Sequence, residues 1–392
     1  MSAGLSTDAD AVVVGAGVVG ASCAYHLARA GLRVHVVEAF AGPAEGSTGR
    51  SFASIRGQWA DPLNIEMSWR SIRVYRAFPA DHGIDVGYRP TGYLLLVPES
   101  GWEAQLAAVE LQREHEVPVD VLDVAAARRI TPFTPDGIAG ATWGPADGVV
   151  DPHLATDAYL AMARAAGAQV LFRHPVTAIA GDDGGGWTVT AGGQALRARY
   201  VVNAAGGWAG EVAGLAGLTV PVAHSRRNIY ATAPGALSAV WPGPVPMTID
   251  LGSGGYVRSE GPRLLFGAAR PDQPDGYDVS VDWPWMEQAL ERVVARFEWL
   301  ADLPLDRAGC WAGTYENSPD HQGVLGADPA APTWINACGF SGHGLMQAPE
   351  IGRLAAEQAT TGAITSLDAS ALRPDRFAAA PGPGGRQLGL VF

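Results

Sequence analysis

The chain has 392 residues, 47% of them hydrophobic and 17% charged, which is enough to bury a large core in one elaborate domain or two intermixed ones. Its 27 basic residues against 40 acidic ones leave a net charge of −13, so no basic surplus exists to neutralise phosphates and nucleic acid is a poor partner. All the basic residues are arginine; without lysine there can be no Schiff base to a carbonyl and no P-loop.

Cys23, Cys310 and Cys338 are far apart and show no metal-ligand spacing. A disulfide framework or zinc site is not expected, and a reducing compartment fits. The opening MSAGLSTDAD lacks the basic and apolar regions of a signal peptide. No run of about 18 apolar residues occurs, so no membrane span is expected and the location reads as cytoplasmic. Self-association into a homo-oligomer is left open.

In chain order, residues 11–14, 18–30 and 33–38 read as strand, helix and strand, a βαβ opening. A Gly/Ser-rich loop over 41–59 follows, of a length that is often functional, then a helix over 64–78. Residues 87–97 read as a hairpin strand, and 103–116 and 123–130 as helices. Asp151-Pro152 starts another helix, with Asp as cap and Pro at the first position. A meander is expected over 169–180, 186–190 and 195–202, and further strands over 219–232, 245–259 and 263–268. Residues 284–299 read as a helix, 333–338 as a strand and 344–361 as a helix, with a tail over 377–392.

Between the first strand and helix stands Gly15-Ala16-Gly17-Val18-Val19-Gly20, a GxGxxG. The first Gly makes the turn, the second lets backbone approach a pyrophosphate, and the third lets the helix pack closely, with the helix N-terminus facing the phosphates. Glu38 ends the second strand, where a carboxylate can accept both hydroxyls of an adenosine ribose. Together these point to a dinucleotide. The loop that follows, in place of a further βαβ unit, favours FAD over a nicotinamide.

The stretches 12–38, GSTGRSFASIR (46–56), DGVVDPHL (147–154), VVNAAGGWAGEVAGLAG (201–217), WAGTYENSPDHQGVLG (311–326) and CGFSGHGLMQAPEIGRLAAE (338–357) occur in one order from end to end. In this the chain resembles the D-amino-acid-oxidase-like FAD family, which includes glycine oxidase, sarcosine oxidase and proline dehydrogenase. The resemblance implies an α/β fold: a Rossmann-like FAD-binding domain over 1–85, 146–218 and 308–376, with a discontinuous antiparallel-sheet substrate domain over 86–145 and 219–307.

It also implies site residues. Ser47, Thr48, Arg50 and Ser51 would lie along the flavin, where a cation stabilises the reduced anionic ring. Val176 would meet the adenine, and Ala204, Ala205, Gly206 and Trp208 would approach the cofactor, Gly206 leaving room for it. Gly342, His343, Gly344, Leu345 and Met346 open a helix that would face the flavin pyrimidine ring; from the residues alone His343 reads equally as a core histidine. Some sarcosine oxidases bind FAD covalently through a Cys six positions before the Pro of the SPD motif; Gly313 stands there, so non-covalent FAD is expected. Those enzymes carry a Lys where this chain has Met346, which leaves open whether oxygen or another acceptor takes the electrons.

Arg56 matches a substrate-binding arginine and would grip a carboxylate, with Gln58 and Trp59 beside it. Tyr256 matches an aromatic strand facing the flavin. His224, Arg226, Arg227, Tyr230 and Arg258 read as surface or core strand positions. The expected activity is oxidation of a small amino acid or secondary amine by hydride transfer to FAD, giving an imine that hydrolyses. The alternatives are a dehydrogenase with a non-oxygen acceptor, a flavin-holding subunit without its own catalysis, and a nicotinamide dehydrogenase.

Overall fold

The structure, a computed structural model, describes residues 8–182 and 184–377; all of the expected tail but Phe377 lies outside the described residues. The chain opens with β1 (Asp8–Val14), α1 (Val18–Arg29) and β2 (Val34–Val37), as the βαβ pattern predicts. The loop after β2 holds only the short β3 (Ser54–Ile55) before α2 (Pro62–His82), capped by Asp61. There follow β4 (Tyr93–Pro98), α3 (Trp102–Glu114), β5 (Asp120–Leu122), α4 (Val124–Ile130), β6 (Ile138–Gly144) and β7 (Gly148–Val149). Asp151 caps α5 (Pro152–Ala165) through the amides of His153 and Leu154. Next come β8 (Gln169–Leu171), β9 (Val176–Gly181), β10 (Trp187–Ala191), β11 (Gln194–Asn203), α6 (Ala209–Leu215) and β12 (Ala223–Ala231). The last third runs β13 (Met247–Asp250), β14 (Gly255–Glu260), β15 (Arg263–Ala268), α7 (Trp283–Val294), β16 (Trp311–Asn317), β17 (Val324–Asp328), β18 (Ala331–Cys338) and α8 (Gly344–Thr361).

Two sheets carry the fold. In the first, β18, β11, β1, β2 and β8 run parallel, flanked by antiparallel β17 and by the β9–β10 meander on the N-terminal half of β11. Residues 11–14 of β1 are a continuous apolar run, and all four residues of β2 are buried, because both faces are covered. One face packs α1, α5 and α8, with α2 behind α8; the other packs the meander and α6. α8 comes so close to α1 that a Cβ on Gly352 would sit 2.2 Å from Ser22 Oγ.

The second sheet has the order β16-β12-β15-β14-β13-β4-β6-β5. It is antiparallel except that β4 and β13 run parallel. One face buries α4 and α7; the other turns toward the first sheet and takes Phe52 from the long loop. β3 and β7 form a separate two-stranded ribbon, which ties that loop to the DGVVDP segment.

Several expected elements differ. Residues 169–180 divide at Arg173–Pro175, so that β8 extends the parallel sheet and β9 enters the meander. The strand expected over 245–259 is a hairpin of β13 and β14. The expected 87–97 hairpin strand is β4, whose antiparallel partner is the distant β6. The helix expected over 284–299 ends at Val294. β6, β16 and β17 are strands that periodicity does not reveal.

Candidate active site

The sheets enclose a cavity of about 550 Å³ at the C-terminal ends of β1, β2 and β11. That is where open parallel sheets present ligand sites. At one end the wall is mostly backbone. Gly15 has φ +106°, and a Cβ there would lie 2.4 Å from Ala204 O. A Cβ on Gly20 would lie 2.0 Å from Gly15 O, so the helix can enter the turn only without side chains. Gly17 is the N-cap of α1 and offers no side chain to cap it. The Val18 amide donates to Thr48 Oγ1 at 3.2 Å, and the other first-turn amides have no helical acceptor.

Glu38 Oε2 accepts from the Ala16 amide at 2.7 Å and Oε1 from the Phe40 amide at 2.9 Å. Both carboxylate oxygens are thereby aimed, with lone pairs to spare for two hydroxyls. Val176, Phe40 and Trp208 line this end, the two rings edge-to-face at 5.7 Å. The 46–56 loop runs along the cavity. Arg50 O accepts from Trp311 Nε1 at 3.0 Å, while Arg50 Nε and Ser51 Oγ are buried without a hydrogen-bond partner among the described residues. Gly313 is needed for this approach: a Cβ there would meet Arg50 Cβ at 2.8 Å.

The other end is built from side chains. Arg56 is 4% exposed, donates from Nη1 to Tyr93 Oη at 3.1 Å, and lies 4.3 Å over the Trp59 ring. The neighbouring Gly57 amide donates to Asp147 Oδ1 at 2.7 Å, and Gln58 Nε2 donates to both Asp147 Oδ2 and Tyr93 O at 3.0 Å. Thr142 Oγ1 closes this buried net on Gln58 Oε1 at 2.8 Å. Burial pushes the Asp147 carboxyl up to about 7, against the pull of Gln58, Gly57 and Arg56.

Tyr256 lies edge-on to Phe52 at 5.2 Å, and burial raises its phenol. Tyr93 and Tyr315 complete an aromatic wall. His343 stands at the N-terminal boundary of α8, makes no side-chain hydrogen bond to it, and meets Trp59 edge-on at 4.5 Å. Burial, then the Arg56 and His321 charges, hold its imidazole well below its ordinary range, so it is neutral at neutral pH. Glu316 borders the cavity between Gly206 and Gly344; burial pushes its carboxyl up to about 7, opposed by the Gly339 and Phe340 amides.

A model of the family "DAO: FAD dependent oxidoreductase" matches residues 10–358. The chain belongs to this family. It is 30% identical to FAD-dependent oxidoreductase domain-containing protein 1 of Bos taurus, over 94% of this chain and 84% of that one. It is 28% identical to monomeric sarcosine oxidase of Streptomyces avermitilis, over 96% and 100% of the two chains. The crystal structure of L-proline dehydrogenase from P. horikoshii is similar with a TM-score of 0.86 at 27% identity, covering 95% of this chain and 99% of that one.

As an FAD-dependent oxidoreductase, the protein has a cradle that fits its cofactor. A glycine turn too tight for any Cβ, a carboxylate aimed by two amides, and buried polar atoms on Arg50 and Ser51 that lack partners are what a dinucleotide would complete. Of the residues expected to bind the cofactor, and of Arg56, Tyr256 and His343, all but Ala16 and Gly20 line the cavity, and those two shape it from behind. Ser47 reaches Thr314 at 3.4 Å, and Ala205, Leu345 and Met346 contribute to the wall. Gly206 is open on its cavity side. Its φ is +59°, a conformation that favours glycine, and a Cβ would meet no protein atom nearer than Glu316 Oε2 at 3.7 Å, so the cavity beside it stays open.

Gln58 and Trp59, expected in the pocket, do not line it: Trp59 stacks under Arg56, and Gln58 ties Asp147 to the Tyr93 backbone. His224 bonds Thr314, Arg226 pairs with Asp278 and Asp282, Tyr230 donates to Asp282 O, and Arg258 pairs with Glu260; none of the four lines the cavity. Arg227, read in the sequence as a surface or core strand position, does line it, as do Tyr93, Tyr315 and Glu316, which the sequence reading did not single out. The signal for Arg227 was the period-2 alternation of β12, which puts Arg226 and Arg227 on opposite faces.

No helix among the described residues is long and apolar enough to cross a membrane, and no cluster of residues there could hold a metal ion.

Proposed function

We propose that the protein oxidises a small amino acid or secondary amine at the carbon beside its nitrogen. When bound, FAD supplies the hydride acceptor and passes the electrons on to oxygen or another acceptor, and the imine left behind hydrolyses. The observation that carries this reading is Arg56: a buried guanidinium on the same loop as the cofactor cradle, fixed by Tyr93 and stacked on Trp59. A planar fork held this way suits a carboxylate, and orienting the substrate is most of what such a reaction asks of protein side chains. His343 is neutral, and Tyr93, Tyr256 and Tyr315 give this end of the cavity a largely apolar wall.

Further support comes from the names of the relatives above, a sarcosine oxidase and a proline dehydrogenase. The proposal includes non-covalent FAD, since the position of the covalent Cys is Gly313 and Arg50 fills the space beside it. It includes a cytoplasmic location, supported by three free cysteines. The division into cofactor and substrate parts is also kept, with β16 moved to the substrate sheet it pairs with.

The test is an anaerobic panel of amines followed by flavin absorbance. Bleaching by amines that carry a carboxylate, and not by their decarboxylated counterparts, is expected. Bleaching that ignores the carboxylate, or none at all, would overturn the reading. Peroxide formed under air would assign oxygen as the acceptor.

A further inference from the structure

Side chains alternate between the faces of a strand, and β12 uses this to treat two adjacent arginines differently. Arg226 turns from the cavity and is held by two acids, with Nη1 2.6 Å from Asp278 and Nη2 2.8 Å from Asp282. Arg227 turns into the cavity, beside Ile229 and opposite Gly313 in the register. Its guanidinium lies 4.7 Å over the Tyr315 ring, and Nη1 donates to Ser225 Oγ at 2.9 Å and Arg226 O at 3.0 Å. Among the described residues no carboxylate pairs with it, and its buried Nε has no hydrogen-bond partner. Away from the cavity, Arg258 pairs with Glu260 and Arg296 with Asp250, whereas Arg50, which also lines the cavity, has no ion pair among the described residues.

A partly buried guanidinium without a counter-anion is unfavourable, so one that lines a binding cavity is poised for an anion brought by a ligand. Arg56 is in the same cavity, and the charges of both arginines act on the Tyr315 phenol that stands by them. The acid on this strand pair, Glu316, is committed elsewhere: it accepts from the Phe340 amide, and its other oxygen faces Gly206.

We propose that Arg227 forms a second anion subsite, and that the substrate is an amino acid or N-substituted glycine carrying a second carboxylate. Arg56 takes the carboxylate next to the reacting carbon and Arg227 takes the distal one. This rests on the amine-oxidising reading above and narrows it.

The test uses purified holoenzyme under anaerobic conditions. Dissociation constants are read from flavin absorbance changes for two non-oxidisable sets, acetate and propionate against malonate and succinate. Bleaching is then compared for N-methylglycine against iminodiacetate and N-methylaspartate. The dicarboxylates are expected to bind at least about tenfold tighter, a difference that a charge-assisted contact supplies. In Arg227→Gln that preference should fall to within about threefold, and Arg227→Lys, which keeps the charge but not the fork, should retain an intermediate preference. Equal binding of the two sets by the wild type, or a preference that survives Arg227→Gln, overturns the inference. If N-methylglycine bleaches the flavin and a second carboxylate adds nothing, the inference fails alone. If no carboxylate-bearing amine bleaches it, the reading of the function fails first.

Discussion

The two ends of the cavity are made of different materials. The cofactor end is backbone: glycines without room for a Cβ, helix amides and a carboxylate oriented by two more amides. The end proposed for the substrate is side chains: two arginines and three tyrosines brought in by β3, β4, β12, β14 and β16 and their flanking loops, with a buried polar net behind Arg56 and Tyr93. Backbone sites tolerate almost no change and serve one ligand. Side-chain sites can be altered residue by residue, which is how one fold comes to host many substrates.

The sharpest way to break that contrast is Gly15→Ala. The new methyl would sit 2.4 Å from Ala204 O at a φ of +106°, and nothing there is a flexible side chain that could move aside. A cost of about 3 kcal/mol or more is expected from clash and backbone strain together. The protein should emerge without yellow colour, and thermal melting should show the loss. A fully coloured variant with wild-type melting would mean that the turn is not the rigid element its geometry describes.

Behind Arg56 the largest effect belongs to Asp147, which does not itself line the cavity. Its carboxyl is raised from 3.8 to about 7, so the folded state prefers the neutral form. Stability from this group is complete below the unfolded value and is lost as pH rises through the folded one. Asp147→Asn stays neutral throughout. Relative to that variant the wild type should therefore lose about 3 kcal/mol between pH 5 and 8, following the roughly 1.4 kcal/mol per pH unit of a single titration. Chemical denaturation at the two pH values measures this; a wild type that instead gains on the variant toward pH 8 would show that the Gly57 and Gln58 donors, with Arg56, win over burial.

What could be read in advance follows the same division. The GxGxxG turn compresses its demands into six neighbouring positions, and Glu38 follows at the end of the next strand, so spacing alone exposes it. Arg56 and Tyr93 are 37 positions apart and Gly57 and Asp147 are 90, and no local rule links them. The strands that carry or brace this end were hidden for a related reason. β6 reads IAGATWG because a Cβ on Gly140 would meet the Trp102 ring at 2.5 Å, and β16 is interrupted by Gly313 because Arg50 lies against it. Glycine in a strand ordinarily signals a break, yet here tertiary contact requires it. Sheet pairing was obscured in the same way, since β4 finds its antiparallel partner across two intervening helices.

Glu38→Gln tests the cofactor end more gently. One amide oxygen remains to accept, but the amide nitrogen would face an N–H donor from Ala16 or Phe40. Losing a charge-assisted contact and opposing two donors should cost about 2 kcal/mol, or roughly thirtyfold in FAD affinity. Equilibrium dialysis of the flavin checks it, and unchanged affinity would remove Glu38 from the ribose.

The smallest effect should come from Tyr93→Phe, and it separates the two ends most cleanly. The substitution keeps the ring against Arg56, 5.5 Å from its guanidinium, and deletes only the hydroxyl that accepts from Nη1 at 3.1 Å. A hydrogen bond of this kind contributes about 1 kcal/mol net, and Arg56 keeps its stacking on Trp59. Substrate affinity in the anaerobic titration should therefore weaken about fivefold. Flavin content should not change, because Tyr93 supports the guanidinium fork and takes no part in the glycine cradle. If colour falls along with substrate affinity, the two ends are mechanically coupled through the 46–56 loop that carries both Arg50 and Arg56, and the substrate end could not be altered independently of the cofactor end.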